Sequence, residues 1–196
     1  MSSPTMNPLL APSDPLEEGA DLAARMLAVL GFDLSGPELS ATPGRMVRAL
    51  KEMTTPPAFT ATDFETTAEP GQLVLVRDIR FVSVCEHHVL PFTGLAHIGY
   101  VPRKRILGLS KVARVVHHCA RRLQVQERLT AQIADWMVEH LDPAGAAVLL
   151  SAEHTCMTLR GVGAAGSRTT TSALRGVLLD DPAARAEFMT LAVSAQ

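Results

Sequence analysis

The chain reads as an α+β protein. Residues 73–76 and 79–84 are rich in branched and aromatic side chains, 95–101 alternates with the period of a strand, and 146–159 reads as a further strand. Between the last two lie two consecutive amphipathic helical stretches, 110–122 and one running from 124 or 125 to 141. Strands interleaved with adjacent long helices predict α+β rather than a doubly wound sheet.

Each element has a local reason. Residues 1–13 hold serine, proline and small side chains without periodicity and read as a mobile tail. From Pro15 the positions Leu16, Ala20, Ala23, Met26, Leu27 and Leu30 repeat with helical spacing, ending near Gly31. Thr42-Pro43 is a helix start, a capping hydroxyl followed by a proline at the first helical position. Met46, Leu50 and Met53 then share a face. Residues 54–71 mix Thr, Pro and Ala with scattered acids and read as a loop. Residues 91–94 read as a turn between strands. Ser110 opens the first of the paired helices. In the second, Leu129, Ile133, Trp136, Met137 and Leu141 form the buried stripe, and Asp142-Pro143 stops it. Glycines at 161–166 break the 146–159 strand pattern, Thr169-Thr170-Thr171 resumes it, and Asp181-Pro182 starts a short final helix.

Composition narrows the function classes. Hydrophobic content of 47% in 196 residues fills a sizeable core, and a net charge of −2 excludes a disordered or nucleic-acid-coating chain. No apolar run is long enough to span a bilayer. The start, Met1-Ser2-Ser3-Pro4, lacks a secretory leader's basic and apolar stretches, so the expected location is cytoplasmic. Three cysteines cannot all pair, and thiols are expected. Cys119, in line with Val112, Val115 and Val116, is a core residue. Arg103, Lys104, Arg105, Lys111, Arg114, Arg121, Arg122 and Arg128 face a single acid, Glu127, between residues 102 and 128. Such a segment is either a solvated face or the seat of a small polyanion. Aromatic content of 4% leaves no stacking platforms for nucleic acid.

Three constellations carry chemistry. Cys85-Glu86-His87-His88 and His154-Thr155-Cys156 look like halves of one zinc site. Cys85 and His88 at C-x-x-H spacing can curl around one ion, and Cys156 completes a three-ligand set with an open position, as catalytic zinc requires. His154 and Cys156, two apart, project from one face if 146–159 is a strand. His87 and His154 remain free to move protons. Ser110, Lys111 and Arg114 share a helix face near its first turn, where N–H groups and the dipole attract anions such as phosphate. Ser110 can also cap that helix. Gln126-Glu127 opens the next helix, and a carboxylate there accepts from the paired N–H groups of a guanine.

Together these segments resemble type I GTP cyclohydrolase. The matching words are Thr42-Pro43-x-Arg45, Cys85-Glu86-His87-His88, His97-Ile98-Gly99-Tyr100-Val101-Pro102, Gly108-Leu109-Ser110-Lys111, the run from Arg121 to Thr130, Glu153-His154-Thr155-Cys156-Met157, Arg160-Gly161 and Ser167-Arg168-Thr169-Thr170-Thr171-Ser172. The resemblance implies the tunnelling fold, an antiparallel sheet backed by two antiparallel helices, over residues 71–196, with a helical region and loop at 14–70. It puts zinc on Cys85, His88 and Cys156, and proton transfer on His87 and His154. Lys111, Arg114, Arg160 and a neighbouring subunit's Arg45 bind the triphosphate, Gln126 and Glu127 read guanine, and Ser110 lies near the ribose and phosphates. It further implies GTP as substrate, 7,8-dihydroneopterin triphosphate and formate as products, and a homodecamer of two pentamers. Two segments differ from relatives: 54–71 is short, and Gly163-Ala164-Ala165-Gly166 replaces a more polar stretch.

Overall fold

The computed structural model describes residues 14–65 and 71–194; the expected tail at 1–13 and part of the expected loop lie outside them. The chain divides into two compact units, Met1–Glu52 and Met53–Gln196. In the first, α1 (Pro15–Val29) starts at Asp14, whose carboxylate accepts from the Leu16 N–H at 2.9 Å. Glu17 and Glu18 in its first turn complement the helix dipole. The second helix, α2 (Thr42–Thr54), crosses the division. A Cβ on Gly19 would lie 3.0 Å from Val47 Cγ1, so the two helices meet closely at that glycine. Arg45 donates to the Glu38 carbonyl at 2.9 Å and to Thr42 Oγ1 at 3.0 Å.

The second unit contains β1 (Asp63–Glu65), β2 (Val74–Cys85), β3 (Pro91–Val101), β4 (Arg105–Leu107), α3 (Leu109–Ala120), β5 (Leu123–Gln124), α4 (Gln126–Leu141), β6 (Gly145–His154), α5 (Thr155–Thr158), β7 (Thr169–Gly176), α6 (Val177–Asp180) and α7 (Pro182–Val193). The main sheet has the order β5-β2-β3-β6-β7. All its pairings are antiparallel except the short β2–β5 contact, which joins only Val84 to Leu123 and Cys85 to Gln124. One face of the sheet presents Phe81, Phe92, Ala96, Ile98 and Val148 to the apolar stripes of α3 and α4, Val112, Val116, Leu129, Ile133 and Met137 among them. The other face packs Val101, Ala147 and Leu149 against Leu178, Phe188 and Ala192 of α6 and α7. This is the α+β architecture expected, with an antiparallel sheet backed by two helices.

Four local expectations change. The 54–71 segment contains β1, a polar strand held by β4 and by the Arg105–Asp63 ion pair at 2.6 Å, so no hydrophobic alternation announces it. The two strand segments before Cys85 are one strand, interrupted by a bulge between Val76 and Ile79 where Asp78 takes φ 58°. The turn falls at residues 86–90 and not 91–94: Cys85 N–H donates to Leu90 O and Val89 N–H to Cys85 O, both at 2.8 Å. Finally, β6 stops at His154, and Cys156 sits on the single turn of α5. The Thr155 hydroxyl, donating to Pro91 O at 2.6 Å, ties that turn to β3.

Two predictions follow from the sheet. A Cβ on Gly94 would come within 2.2 Å of the Ser151 carbonyl oxygen across β6, a backbone atom that cannot swing away. Gly94→Ala should therefore lower unfolding stability by about 1–3 kcal/mol in chemical denaturation. His97, 7% exposed, accepts the Asp78 N–H on Nδ1 at 3.4 Å, and burial holds its pKa below the ordinary 6.5, with Asp78 opposing. A lowered folded pKa gives stability that is present above 6.5 and lost as pH falls through the folded value. Thermal unfolding between pH 7.5 and 5 should then fall less steeply for His97→Gln than for the parent.

Candidate metal centre

Three elements end at one place. Cys85 closes β2, His88 follows on the 86–90 turn, and Cys156 comes from α5 just after β6. Their ligand atoms all lie within 4.8 Å of one another. Cys85 Sγ is 3.6 Å from His88 Nδ1 and 4.0 Å from His87 Nδ1. Cys85 is buried and His88 exposed, so the cluster opens toward solvent on the histidine side. Burial, and then the neighbouring Cys85, raise the pKa of the Cys156 thiol. Two sulfurs this close resist becoming thiolates together unless a cation joins them. The donor set is one that can hold a metal ion.

Behind the cluster, His154 is oriented rather than loose. Its ring stacks on Phe92 with centroids 4.5 Å apart and planes 6° from parallel. Its Nε2 lies 2.8 Å from Gln126 Oε1. Gln126 is 1% exposed, and its amide nitrogen donates to Thr169 O at 3.0 Å, Thr171 Oγ1 at 3.0 Å and Leu150 O at 3.4 Å. Two of these partners are carbonyls, which only accept, so the amide oxygen must face His154. The hydrogen of a neutral His154 therefore sits on Nε2, leaving the Nδ1 lone pair free. Burial lowers the His154 pKa, opposed by Glu127, which favours that neutral ring.

The turn has its own clamp. Glu86 pairs with Arg128 of α4, and this hydrogen bond lowers the Glu86 pKa. Arg128 also donates to Gln124 Oε1 at 2.9 Å and Leu123 O at 3.0 Å, joining the ligand turn to β5 and α4.

The structure thus gathers Cys85, His87, His88, His154, Cys156, Gln126 and Glu127. Arg160 joins them through α5, donating to Cys156 O at 3.4 Å. It does not gather Ser110, Lys111 and Arg114 there. Ser83 Oγ donates to Ala120 O at 2.6 Å and His117 Nε2 donates to Arg80 O at 3.0 Å, so α3 runs alongside β2 with its C-terminal end toward Cys85. Ser110 lies ten residues back along the helix, about 15 Å from Ala120. Gly108, not Ser110, caps α3, and the Ser110 hydroxyl makes no hydrogen bond among the described residues. Arg45 belongs to the first unit. Cys119 is core, 5% exposed, with burial raising its thiol to about 11.

Sequence reasoning missed the roles of Phe92, Glu86 and Arg128, and the inward orientation of Gln126. The last had a signal. Gln126 stands at the head of the stripe Leu129, Thr130, Ile133 and Met137, spaced i, i+3, i+4, i+7 and i+11, so its side chain belongs to the buried face.

A cluster of two cysteines and a histidine that could hold a metal ion, with a half-buried, oriented histidine at its rim, sits at one end of the sheet of an α+β protein. A family model described as GTP cyclohydrolase I matches residues 20–193, and the chain belongs to that family. It is 48% identical over 173 residues to GTP cyclohydrolase 1 of Deinococcus radiodurans, covering 86% of this chain and 80% of that one. The same name and identity recur for Caldanaerobacter subterraneus subsp. tengcongensis, over 85% of this chain and 90% of the relative. For Aquifex aeolicus the identity is again 48%, over 83% of this chain and 88% of the relative. Among solved structures, the apo archaeosine synthase QueF-Like superposes with a TM-score of 0.46 and 16% identity, over 55% of this chain and 97% of that one.

The Gln126 contact is testable by imidazole NMR. His154 should appear as the Nε2–H tautomer in the parent. Gln126→Leu should abolish that preference while metal content, measured by elemental analysis, is retained.

Proposed function

We propose that this chain acts on GTP as a GTP cyclohydrolase I, releasing C8 as formate and forming 7,8-dihydroneopterin triphosphate. The observation that carries the reading is the convergence of Cys85, His88 and Cys156 beside an oriented His154, in a chain of this family. Zinc fits the donor set: two sulfurs and an imidazole are the ligands it prefers, and three protein ligands leave one position open. When bound, it supplies the Lewis acidity that makes water nucleophilic at neutral pH.

The remaining work falls to side chains. Glu127, exposed in the first turn of α4, accepts from the paired N–H groups of guanine, and Gln126 behind it holds His154 in place. His154, neutral with Nδ1 free, and His87, 65% exposed, carry protons to and from the opening ring. Arg160, Lys111, Arg114 and Arg45 bind the triphosphate, with Ser110 beside them. Because α3 holds Ser110, Lys111 and Arg114 far from the metal cluster of their own chain, they serve the cluster of a neighbouring copy. That requires assembly, and a decamer of two pentamers closing through sheet edges fits it. Among the described residues, β7 is an edge strand and β2 has no strand partner beyond β3 before Val84. Three free thiols accord with a cytoplasmic location, and no helix among the described residues is long and apolar enough to cross a membrane.

Zinc-loaded protein given GTP should yield formate and, after oxidation, a fluorescent neopterin. A product that retains the formyl group, or no product at all, would overturn the reading. Cys156→Ala should lose zinc and turnover together. His154→Ala should keep zinc and lose about 10²–10⁴-fold in turnover, measured by formate release.

A further inference from the structure

Most arginines of the second unit have partners. Arg77, Arg105, Arg122, Arg128, Arg160, Arg168, Arg175 and Arg185 each hydrogen-bond through the guanidinium. Among the described residues, Arg80, Arg103, Arg114 and Arg121 do not. Three of these four line two adjoining cavities beside α3. The first, of about 290 Å³, is lined by Arg114, His117 and Arg121 together with Pro57, Ala58 and Phe59. The second, of about 190 Å³, is lined by Arg80, Phe81, Val82, His117 and Arg121. His117 and Arg121 border both, so the cavities form one cleft. No carboxylate lines either part.

A lone arginine at a helix C-terminus is ordinary, because the dipole there favours a cation. Three unpartnered guanidinium groups around one cleft are different. They repel one another across it, and all three are exposed and open to a ligand. An anion removes that repulsion. Its shape follows from helix geometry: Arg114 and Arg121 are seven residues apart, about 10 Å along α3. That separation suits an extended anion with several charges rather than a single phosphate. The walls favour it as well. Phe59 is held by an edge contact with His118 at 5.4 Å and a tilted one with Trp136 at 5.8 Å, so the 57–59 segment is fixed in place. His117 is anchored through Nε2 to Arg80 O, which ties the β2 side of the cleft to α3.

We propose that this cleft binds the phosphate chain of the substrate, with Arg121, and Arg80 beyond it, as positioning residues that extend the cationic row begun by Lys111 and Arg114. The assignment rests on the reading of Arg114 as a triphosphate cation. The cleft orients and retains the anion and takes no part in bond breaking.

The test uses the full zinc-loaded chain and inorganic tripolyphosphate, which reports on the cleft without turnover. By calorimetry, Arg121→Ala should weaken tripolyphosphate binding about tenfold, the loss of one charge-assisted contact. Arg121→Lys should recover most of the affinity, and Arg103→Ala, also unpartnered but outside the cleft, should leave it unchanged. With GTP, Arg121→Ala should raise KM by a similar factor at nearly constant kcat, the signature of lost uniform binding. Unchanged tripolyphosphate affinity in Arg121→Ala overturns the cleft assignment whatever the enzyme does to GTP. If GTP is not turned over but tripolyphosphate binds and Arg121→Ala weakens it, the cleft stands and the proposed reaction falls.

Discussion

The site depends on the register of β3 between its two neighbours. Phe92 sits opposite Ser83 on β2 and opposite His154 on β6, fully buried, so one residue fixes both ends of the cluster. On one side it meets the edge of Phe81 at 6.1 Å; on the other it stacks on His154. Because side chains alternate across a strand, a slip of one residue in either pairing would send Phe92 or its partner to the opposite face. Cys85 and Cys156 would then no longer face each other. Gly94 reinforces this register, since the approach of β6 at that point leaves no room for a Cβ.

The cluster that could hold a metal, the paired helices and most of the strands were legible because each has a local signature: Cys and His spacing, apolar periodicity, branched side chains. Features that depend on tertiary contact were not. Pro91 and Gly94 suggest a turn, yet they lie in β3, where Phe92 supplies the apolar surface that holds the strand straight. His154 and Cys156 read as neighbours on one strand face, whereas the chain leaves the sheet between them. The cluster forms all the same, because a one-turn helix returns Cys156 toward Cys85. Gln126 and Glu127 look like a pair at a helix start, but only the second faces outward. Three hydrogen bonds across the sheet turn the first inward, and none of those partners is near it in sequence.

Electrostatics organises what packing leaves open. Around the donors, three polar groups have defined neighbours: Glu86 with Arg128, His154 with Gln126, and Arg160 with the α5 backbone. Along α3 the opposite holds, and cations stand without partners. A fixed, neutral histidine suits proton transfer, and an uncompensated cationic row suits a ligand that carries its own negative charge.

The distance along α3 between Ser110 and Ala120 has a genetic consequence. If each centre takes its donors from one copy and its α3 cations from another, a lesion in either set inactivates different halves of different sites. A chain lacking Cys156 and a chain lacking Lys111, each inert alone, would form some intact centres when co-expressed, because the damaged halves need not coincide. Complementation of that kind belongs to sites shared between subunits, and a site complete within one chain has no route to it.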